Sequence, residues 1–483
     1  MKENNDEIKI NIKKIRAYAL KNAVSHEGKA KPEPVLNSLF VEGLKKSDIP
    51  KVMPLIKMVL EEVNQLSTQE QELKLKELEK EISQREIRDV NELPELEGVD
   101  KKNGVIMRFS PSSSAPAFHI GHILTGMPSS LYVKKYGGKF YLRIEDTNPK
   151  KTVAECYESF PKEAEWIFGN VTSWYAQSDR MQKYYDFAEK LIKKGIAFVC
   201  TCEKKEKNNH EERKPCKCRE NSIKLNLELW KKMLDKDGFK EGEAILRFKT
   251  PDLNLTNPAL IDFPLARINL TEHPRQGKKY RVWPLMNLCV TFDDIEQKCT
   301  HIIRAKEHQD NAKRQEMIFD ALGVKKPYTY FLGRYKFKDL PISKTQINDF
   351  IKKGKFNGWD DIRLPLARNF KRRGYQPEAF ARMVKQRGLS NVDKVIKQED
   401  FFQILDSFNR ELLIPIAKKV TFERVVEKTR DCIEILMPDN KVIFGKTNLN
   451  IKEIRDGDIF YFSGLGFARF NKEEKIKFWF CHR

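Results

Sequence analysis

The sequence predicts an α/β fold built around a doubly wound, Rossmann-like nucleotide-binding core. Three observations predict it. Val105–Phe109 is a short apolar run, followed by a Ser/Pro-rich loop, a helical stretch to Tyr136 and a second apolar run, Phe140–Ile144. Strand, loop, helix and strand in that order make a βαβ unit. Both runs end in polar residues, the second in Glu145-Asp-Thr-Asn-Pro149. Farther on, Thr300 to His308 reads as a buried strand ending in a charged loop, followed by a helix from Asn311 to Leu322.

In such sheets ligands bind at the carboxyl ends of the strands. That edge carries His119-Ile-Gly-His122 at the start of the helix, and Gly137-Gly138 ends the helix. Backbone N–H groups and the helix dipole attract phosphate there, and imidazoles can hydrogen-bond its oxygens. Gly121 leaves room for a base or ribose to approach the backbone. A histidine pair also fits a metal site or a solvated helix start. The position after a strand and before a helix favours the nucleotide reading.

At 483 residues the chain has room for three or four domains. Lys and Arg number 90 against 69 Asp and Glu, a net charge of +21 with pI near 9.3. That excess suits a polyanionic partner held in a salt-sensitive way. A merely soluble, Lys-rich protein is the plainer alternative. The N-terminal stretch has no signal-peptide core, and no run approaches the ~18 apolar residues of a membrane span. Nine cysteines is an odd count that argues against a disulfide framework. The expectation is a cytoplasmic, reduced protein with no membrane partner, acting as a monomer.

Taken in order, residues 1–100 are charged and helical in pattern. Val52, Leu55, Ile56, Val59, Leu60 and Val63 recur at helical spacing, and Ser67-Thr-Gln-Glu70 is a capping box. Thr152 to Gly169 and Met181 to Lys194 read as amphipathic helices. Cys200, Cys202, Cys216 and Cys218 then form two CxC pairs around a charged loop containing His210. Four thiolates close a tetrahedral zinc site, with His210 as a substitute ligand. Four reduced thiols that bind nothing are the alternative. Such a zinc would be structural, since no coordination position stays open. A loop-rich, basic segment from Asn254 to Arg281 precedes the return to the sheet. From Asp361 the chain turns helical and basic, with Arg363, Arg368, Arg372 and Arg373 among apolar positions. Strand-like alternation follows at Cys432–Leu436 and Ile459–Phe462.

These motifs resemble a family. His119-Ile-Gly-His122 resembles the HIGH signature of class I aminoacyl-tRNA synthetases, and Arg143-Ile-Glu-Asp-Thr-Asn-Pro149 resembles the RxEDTNP segment of the glutamyl/glutaminyl branch. Pro341-Ile-Ser-Lys-Thr345 is similar to the KMSKS signature, and Gly358-Trp-Asp-Asp-Ile-Arg-Leu-Pro365 to GWDDPRLPT. Trp174 to Arg180 is similar to the YxxSDR segment. Tyr18–Ala23 and the closing strands resemble the archaeal type of glutamyl enzyme.

The resemblance implies a glutamate–tRNA ligase. Glutamate and ATP would form glutamyl-adenylate and pyrophosphate, and the 2′-hydroxyl of the terminal tRNA adenosine would take the glutamyl group. It implies His119, His122 and Lys344 as the catalytic groups that meet phosphate charge. Ser110, Pro111, Gly121, Arg304, Glu307 and Ser343 would bind ATP, which magnesium accompanies. Glu307 in a surface ion pair is the alternative. Arg108, Glu145, Met286 and Arg304 would bind the amino acid, and Arg363, Arg368, Arg372 and Arg373 the tRNA. The domains implied are an N-terminal helical extension (1–100), the first half of the catalytic fold (101–195) and an inserted acceptor-end domain (196–280). The second half (281–345), a helical stem-contact domain (346–415) and a shortened anticodon-side β-barrel (416–483) follow.

Three departures bear on that implication. The loop before the HIGH-like motif is one residue longer than the family pattern and puts Ala115 or Pro116 where glycine stands. Met286 replaces a tyrosine that helps hold the amino acid. The distal region is short for two barrels. Two alternatives stay open: a glutaminyl-tRNA ligase serving glutamine acceptor tRNA, and a non-charging paralogue that binds or scaffolds RNA.

Overall fold

A computed structural model of the chain describes residues 12–26, 28–41, 44, 48–78, 81, 89, 91–202, 216–340 and 343–483. His210, Pro341 and Ile342 lie outside the described residues. The chain divides into two compact units, Met1–Arg88 and Asp89–Arg483.

The first unit contains α1 (Ile12–Ser25), α2 (Pro32–Val41), α3 (Ile49–Asn64) and α4 (Thr68–Glu77). Val52, Ile56, Val59, Leu60 and Val63 of α3 are buried, as their spacing predicts. The predicted capping box is present: Ser67 Oγ accepts from Glu70 N, and Glu70 Oε2 accepts from Ser67 N at 2.8 Å. Buried Gln71 donates from Nε2 to the carbonyls of Gly28 and Val63, both at 2.9 Å, and ties α4 to the rest of this small core.

In the second unit, β1 (Val105–Phe109), α5 (Ile120–Tyr136) and β2 (Gly138–Ile144) form the expected βαβ unit. It continues through α6 (Cys156–Phe168) to β3 (Ser173–Ala176) and α7 (Met181–Lys193). The three strands are parallel in the order β1-β2-β3. Helices cover both faces of such a sheet, which is why β1 and β2 read as nearly continuous apolar runs. Gly138 opens β2 at φ +110, and a Cβ there would lie 2.1 Å from the Val105 carbonyl oxygen, so only glycine fits this turn. Register places Arg108 and Arg143 on the same face, because Arg108 pairs with Tyr141.

Strands β4 (Ala197–Cys200), β5 (Ile245–Phe248), β6 (Pro264–Ile268) and β7 (Val282–Pro284) make an antiparallel sheet. Helix α8 (Ile223–Leu234) lies between β4 and β5 in sequence and packs into the same core through Trp230 and Met233. Next come α9 (Met286–Glu296), β8 (His301–Ala305), α10 (Gln309–Leu322) and β9 (Tyr328–Leu332), with β8 and β9 parallel. Thr300 joins the two half-sheets: its N–H donates to the Ile106 carbonyl and its hydroxyl accepts from Ile106 N, both at 2.9 Å.

Strand β10 (Tyr335–Phe337), α11 (Lys344–Lys352), α12 (Ala367–Arg373), α13 (Pro377–Arg387), β11 (Lys394–Ile396) and α14 (Gln398–Leu413) follow. The last strands are β12 (Lys418–Val420), β13 (Glu423–Val425), β14 (Cys432–Leu436), β15 (Val442–Lys446), β16 (Ile459–Phe462), β17 (Gly466–Phe470) and β18 (Phe478–Phe480). These seven form one sheet, ordered β12-β16-β17-β18-β14-β15-β13, around a Phe- and Ile-rich core. Among the described residues its end strands, β12 and β13, are each paired on one side only.

Candidate active site

His119 is the N-cap of α5, and its Nδ1 accepts from Gly121 N at 3.0 Å. His122 Nδ1 in turn accepts from His119 N at 3.4 Å. With both Nδ1 atoms accepting backbone N–H groups, each imidazole is neutral and carries its proton on Nε2. Burial pushes His119 down to about 4, and burial followed by the neighbouring His119 holds His122 well below its ordinary value. The helix start therefore presents two uncharged N–H donors. Gly121 has a different use from the one its position suggests: a Cβ there would lie 2.8 Å from His119 Cε1. The space is taken by the His119 ring.

Both histidines line a cavity of about 430 Å³. Arg108, Ser110, Pro111, Gly121, Glu145, Met286, Arg304 and Glu307 line it too. The edge formed by β1, β2 and β8 thus brings ten of the sequence-predicted site residues together.

Behind the cavity lining, buried Arg143 and Asp294 meet the lining residue Arg108. Arg108 Nε donates to Asp294 Oδ1 at 3.3 Å, and Arg143 Nη2 donates to the same oxygen at 2.8 Å. Arg143 Nε also donates to Ser110 Oγ at 3.1 Å. Asp293, next along α9, accepts from Gln177 Nε2 at 2.9 Å and pairs with Arg180 at 3.1 Å. Arg108 Nη2 is buried without a partner. A buried guanidinium nitrogen without a protein partner is costly unless a ligand or water meets it. Arg304 Nη1 donates to buried Gln315 at 3.1 Å, and burial, then Arg108, lowers Arg304 to about 9. Burial raises Glu145 against the pull of Arg143, Arg108 and Arg304. Two cationic groups and one carboxylate suit the carboxylates and amine of a dicarboxylic amino acid.

Asp294 and Gln315 were not singled out from the sequence, and Arg143 stood there only as the first residue of the RxEDTNP-like segment, without a site role. One signal was present. Asp293 and Asp294 close an otherwise apolar helical stretch, and two acids in a buried helix require buried cations.

The loop before α5 is pinned by both neighbours. Pro116 O accepts from Ser159 Oγ and Arg368 Nη2, each at 2.6 Å, and Phe118 N donates to Glu163 Oε2 at 2.6 Å. Burial raises Glu163 to about 7. Among the described residues, none from Ser110 to Phe118 has positive φ, so this loop needs no glycine at Ala115 or Pro116. Met286 opens α9 and packs with Met181, Tyr184 and Trp283. Glu307 is half-exposed and paired with Arg334, itself a lining residue. The ion pair weighed as an alternative for Glu307 is therefore present, at the cavity wall.

Residues 104–413 match the family model for the catalytic domain of class I tRNA synthetases (E and Q). The chain belongs to this family. A glutamate–tRNA ligase of Methanobrevibacter smithii is 37% identical over 461 residues, which cover 91% of this chain and 80% of that protein. One from Methanocaldococcus jannaschii is 37% identical over 456 residues, covering 92% and 79%. One from Thermoplasma acidophilum is 40% identical over 413 residues, covering 84% and 73%. A crystal structure of a glutamate tRNA ligase from Elizabethkingia meningosepticum, in complex with its amino acid, aligns with TM-score 0.47 at 20% identity, covering 65% of this chain and 70% of that one.

Two synthetase elements lie apart from the cavity lining. Ser343 caps α11 by accepting from Gln346 N at 3.3 Å, and Lys344 is the first residue of that helix. Neither is among the lining residues. The four arginines predicted to meet tRNA all have partners within the chain. Arg363 grips Asp361 through Nε at 2.8 Å and Nη2 at 2.6 Å. Arg368 holds Glu163 at 3.1 Å, and Arg372 bridges Asp360 at 3.0 Å and Glu474 at 2.8 Å. Arg373 donates to the carbonyls of Phe480 at 3.2 Å and Cys481 at 2.7 Å. Arg368 thereby holds the helical region to the loop before α5, and Arg372 and Arg373 hold it to the last sheet, whereas the Arg363 pair is local.

The four cysteines converge as the two CxC pairs predict. Cys200 closes β4, Cys216 and Cys218 flank the start of a short 3₁₀ turn, and one ligand atom from each lies within 4.8 Å of all the others. Sulfur–sulfur separations are 3.5 Å for Cys200–Cys216, 3.2 Å for Cys202–Cys216 and 3.7 Å for Cys202–Cys218. A tetrahedron with Zn–S bonds of ~2.3 Å has edges of about 3.8 Å, so the donor set fits a closed zinc site.

Proposed function

We propose that this synthetase is a glutamate–tRNA ligase, which activates glutamate with ATP and transfers it to the terminal adenosine of tRNA. The observation that carries this reading is the pocket around Arg108. Its free Nη2, the nearby Arg304 and the carboxylate of Glu145 complement the side-chain carboxylate, α-carboxylate and α-amine of glutamate. A side-chain amide would leave Arg108 with only Asp294, which it shares with Arg143, as counter-charge. Glutamate is thus the better match.

In this reading the Nε2–H groups of His119 and His122 hydrogen-bond the α-phosphate oxygens of ATP, with Ser110, Pro111 and Gly121 beside them. Because both rings are uncharged, they meet phosphate as dipoles at a helix N-terminus, and the positive charge comes from magnesium and from Lys344. Lys344 would act by approach of the α11 N-terminus during the reaction, with Ser343 beside it. Glu307 would face the ribose. The carboxylate of glutamate attacks the α-phosphorus and pyrophosphate leaves. The 2′-hydroxyl of the tRNA end then displaces AMP. No protein nucleophile is required. Arg363, Arg368, Arg372 and Arg373 would add to the field that draws tRNA while keeping their structural pairs. Zinc would be structural, held by Cys200, Cys202, Cys216 and Cys218, and would brace the start of α8 against β4.

Charging of purified tRNA with labelled glutamate tests the reading. It predicts ATP-dependent glutamyl-tRNA. Charging with glutamine alone would move the protein to the sister activity, and no charging with either would leave an RNA-binding paralogue.

A further inference from the structure

We propose that His273 is a positioning residue for Glu145, acting through the main-chain carbonyl of Asp146. The inference rests on the reading of Glu145 as the group that meets the amino acid's α-amine. The last register pair of β2 is Ile144 with Ala176, so Glu145 and Asp146 lie just past the strand ladder. What holds them is a set of separate bonds. Glu145 N donates to the Pro111 carbonyl at 3.0 Å, and the Glu145 carbonyl accepts from Ser113 N and Ser113 Oγ, both at 3.0 Å. One side of the segment is thereby fixed to the loop after β1.

The other side is fixed from a distance of 127 residues in sequence. His273 Nε2 lies 2.9 Å from the Asp146 carbonyl oxygen, and both groups are buried. Its Nδ1 accepts from Arg275 N and Gln276 N, each at 3.1 Å, which leaves the proton on Nε2 and makes it the donor to Asp146. The ring stacks on Trp283, with centroids 4.8 Å apart and 24° between planes. The Thr152 hydroxyl also approaches the Asp146 carbonyl, at 3.3 Å, but is nearer to Asn148 O at 3.0 Å. The Asp146 carboxylate is filled by Ser178 N at 2.8 Å, Ser178 Oγ at 2.6 Å and the Tyr157 hydroxyl at 2.7 Å. His273 Nε2 also lies 3.7 Å from Asp146 Oδ2, and among the described residues it is the Asp146 partner that brings in the sheet of β4 to β7.

His273 begins a small hairpin between β6 and β7, closed by mutual bonds with Gly277 at 3.0 and 2.8 Å. Arg275 anchors that hairpin on Asp179 through two bonds of 2.7 and 2.8 Å, and Gln276 adds a third at 2.8 Å. The peptide that follows Glu145 is therefore held on its second side by an imidazole N–H from the hairpin of a separate sheet.

Glutamate-dependent ATP–pyrophosphate exchange on the full-length protein, run with and without tRNA, tests this. His273→Phe keeps a ring over Trp283 but cannot donate. It should raise KM for glutamate at least tenfold, with kcat and KM for ATP within twofold, because Glu145 holds the amine in ground and transition states alike. His273→Gln restores an N–H and should recover most of the loss. Asp179→Asn weakens the anchor of the hairpin that carries His273 and should raise KM for glutamate in the same direction but by less. A folded His273→Phe protein with unchanged KM for glutamate, or a fall in kcat without that rise, would overturn the assignment while the ligase reading stands. No exchange by the wild type would overturn both.

Discussion

His119 and His122 stack face to face at the start of α5, with ring centroids 3.9 Å apart and 22° between planes. Two imidazoles this close cannot both be charged cheaply. His119 protonates at about 4 in the folded chain against about 6.5 when unfolded. The unfolded state thus binds the proton first as pH falls, so this contribution to stability is full above pH ~6.5 and is lost down to pH ~4. The window amounts to at most ~3 kcal/mol, less what water in the cavity screens. Glu163, raised to about 7, slopes the other way. Urea unfolding from pH 4.5 to 7.5 should therefore be compared with His119→Asn, which keeps an N-cap oxygen. The wild type should lose stability more steeply toward low pH; parallel curves would mean that His119 titrates normally.

The arginines of the helical region should show a double effect. Arg373→Glu removes donors to Phe480 and Cys481 and places an acid against their carbonyls. Stability should drop by ~1–3 kcal/mol. Paired with Arg372→Glu, it should also weaken tRNA binding and flatten its salt dependence. Filter binding at several salt concentrations, beside thermal melts, separates the two. An unchanged salt slope would place the RNA elsewhere.

The thiol cluster makes a direct demand on composition. Protein purified without added metal should carry about one zinc per chain, and Cys216→Ser should lose it together with thermal stability. Metal near zero, with the serine variant melting like wild type, would leave four ordinary thiols.

Met286 lines the cavity, with a thioether where the resembled sequence pattern has a tyrosine hydroxyl. Met286→Tyr should lower the apparent KM for glutamate, because a buried hydrogen bond to the substrate is regained. A higher KM would mean that the apolar cluster around Met181 and Trp283 is too tight for the ring.

Much of this architecture is legible in the sequence because local chemistry and global fold agree there. The apolar runs of β1 and β2, the glycines between α5 and β2, the capping box at Ser67 and the two CxC pairs each act over a few residues. They announce themselves by spacing. The parts that could not be read depend on partners far apart in the chain. Asp294 lies 186 residues from Arg108 and 151 from Arg143, and only the tertiary fold makes it their counter-ion. The same holds for Arg368 and Arg372, whose distant partners are Glu163 and Glu474. A basic run reads as a free surface until such acids are placed. Gly121 shows the limit at close range, since its spacing pointed to room for a ligand and its neighbour's ring occupies that room.

The central claim is that this pocket activates glutamate, and amino-acid-dependent ATP–pyrophosphate exchange measures it most directly. The account predicts exchange with glutamate, assayed with and without tRNA. It also predicts a loss of at least ~100-fold in His122→Ala and in Lys344→Ala, with ATP binding changed far less, since both groups act on charge that develops in the transition state. Absence of glutamate-dependent exchange under both conditions, or robust exchange with a different amino acid, would contradict it.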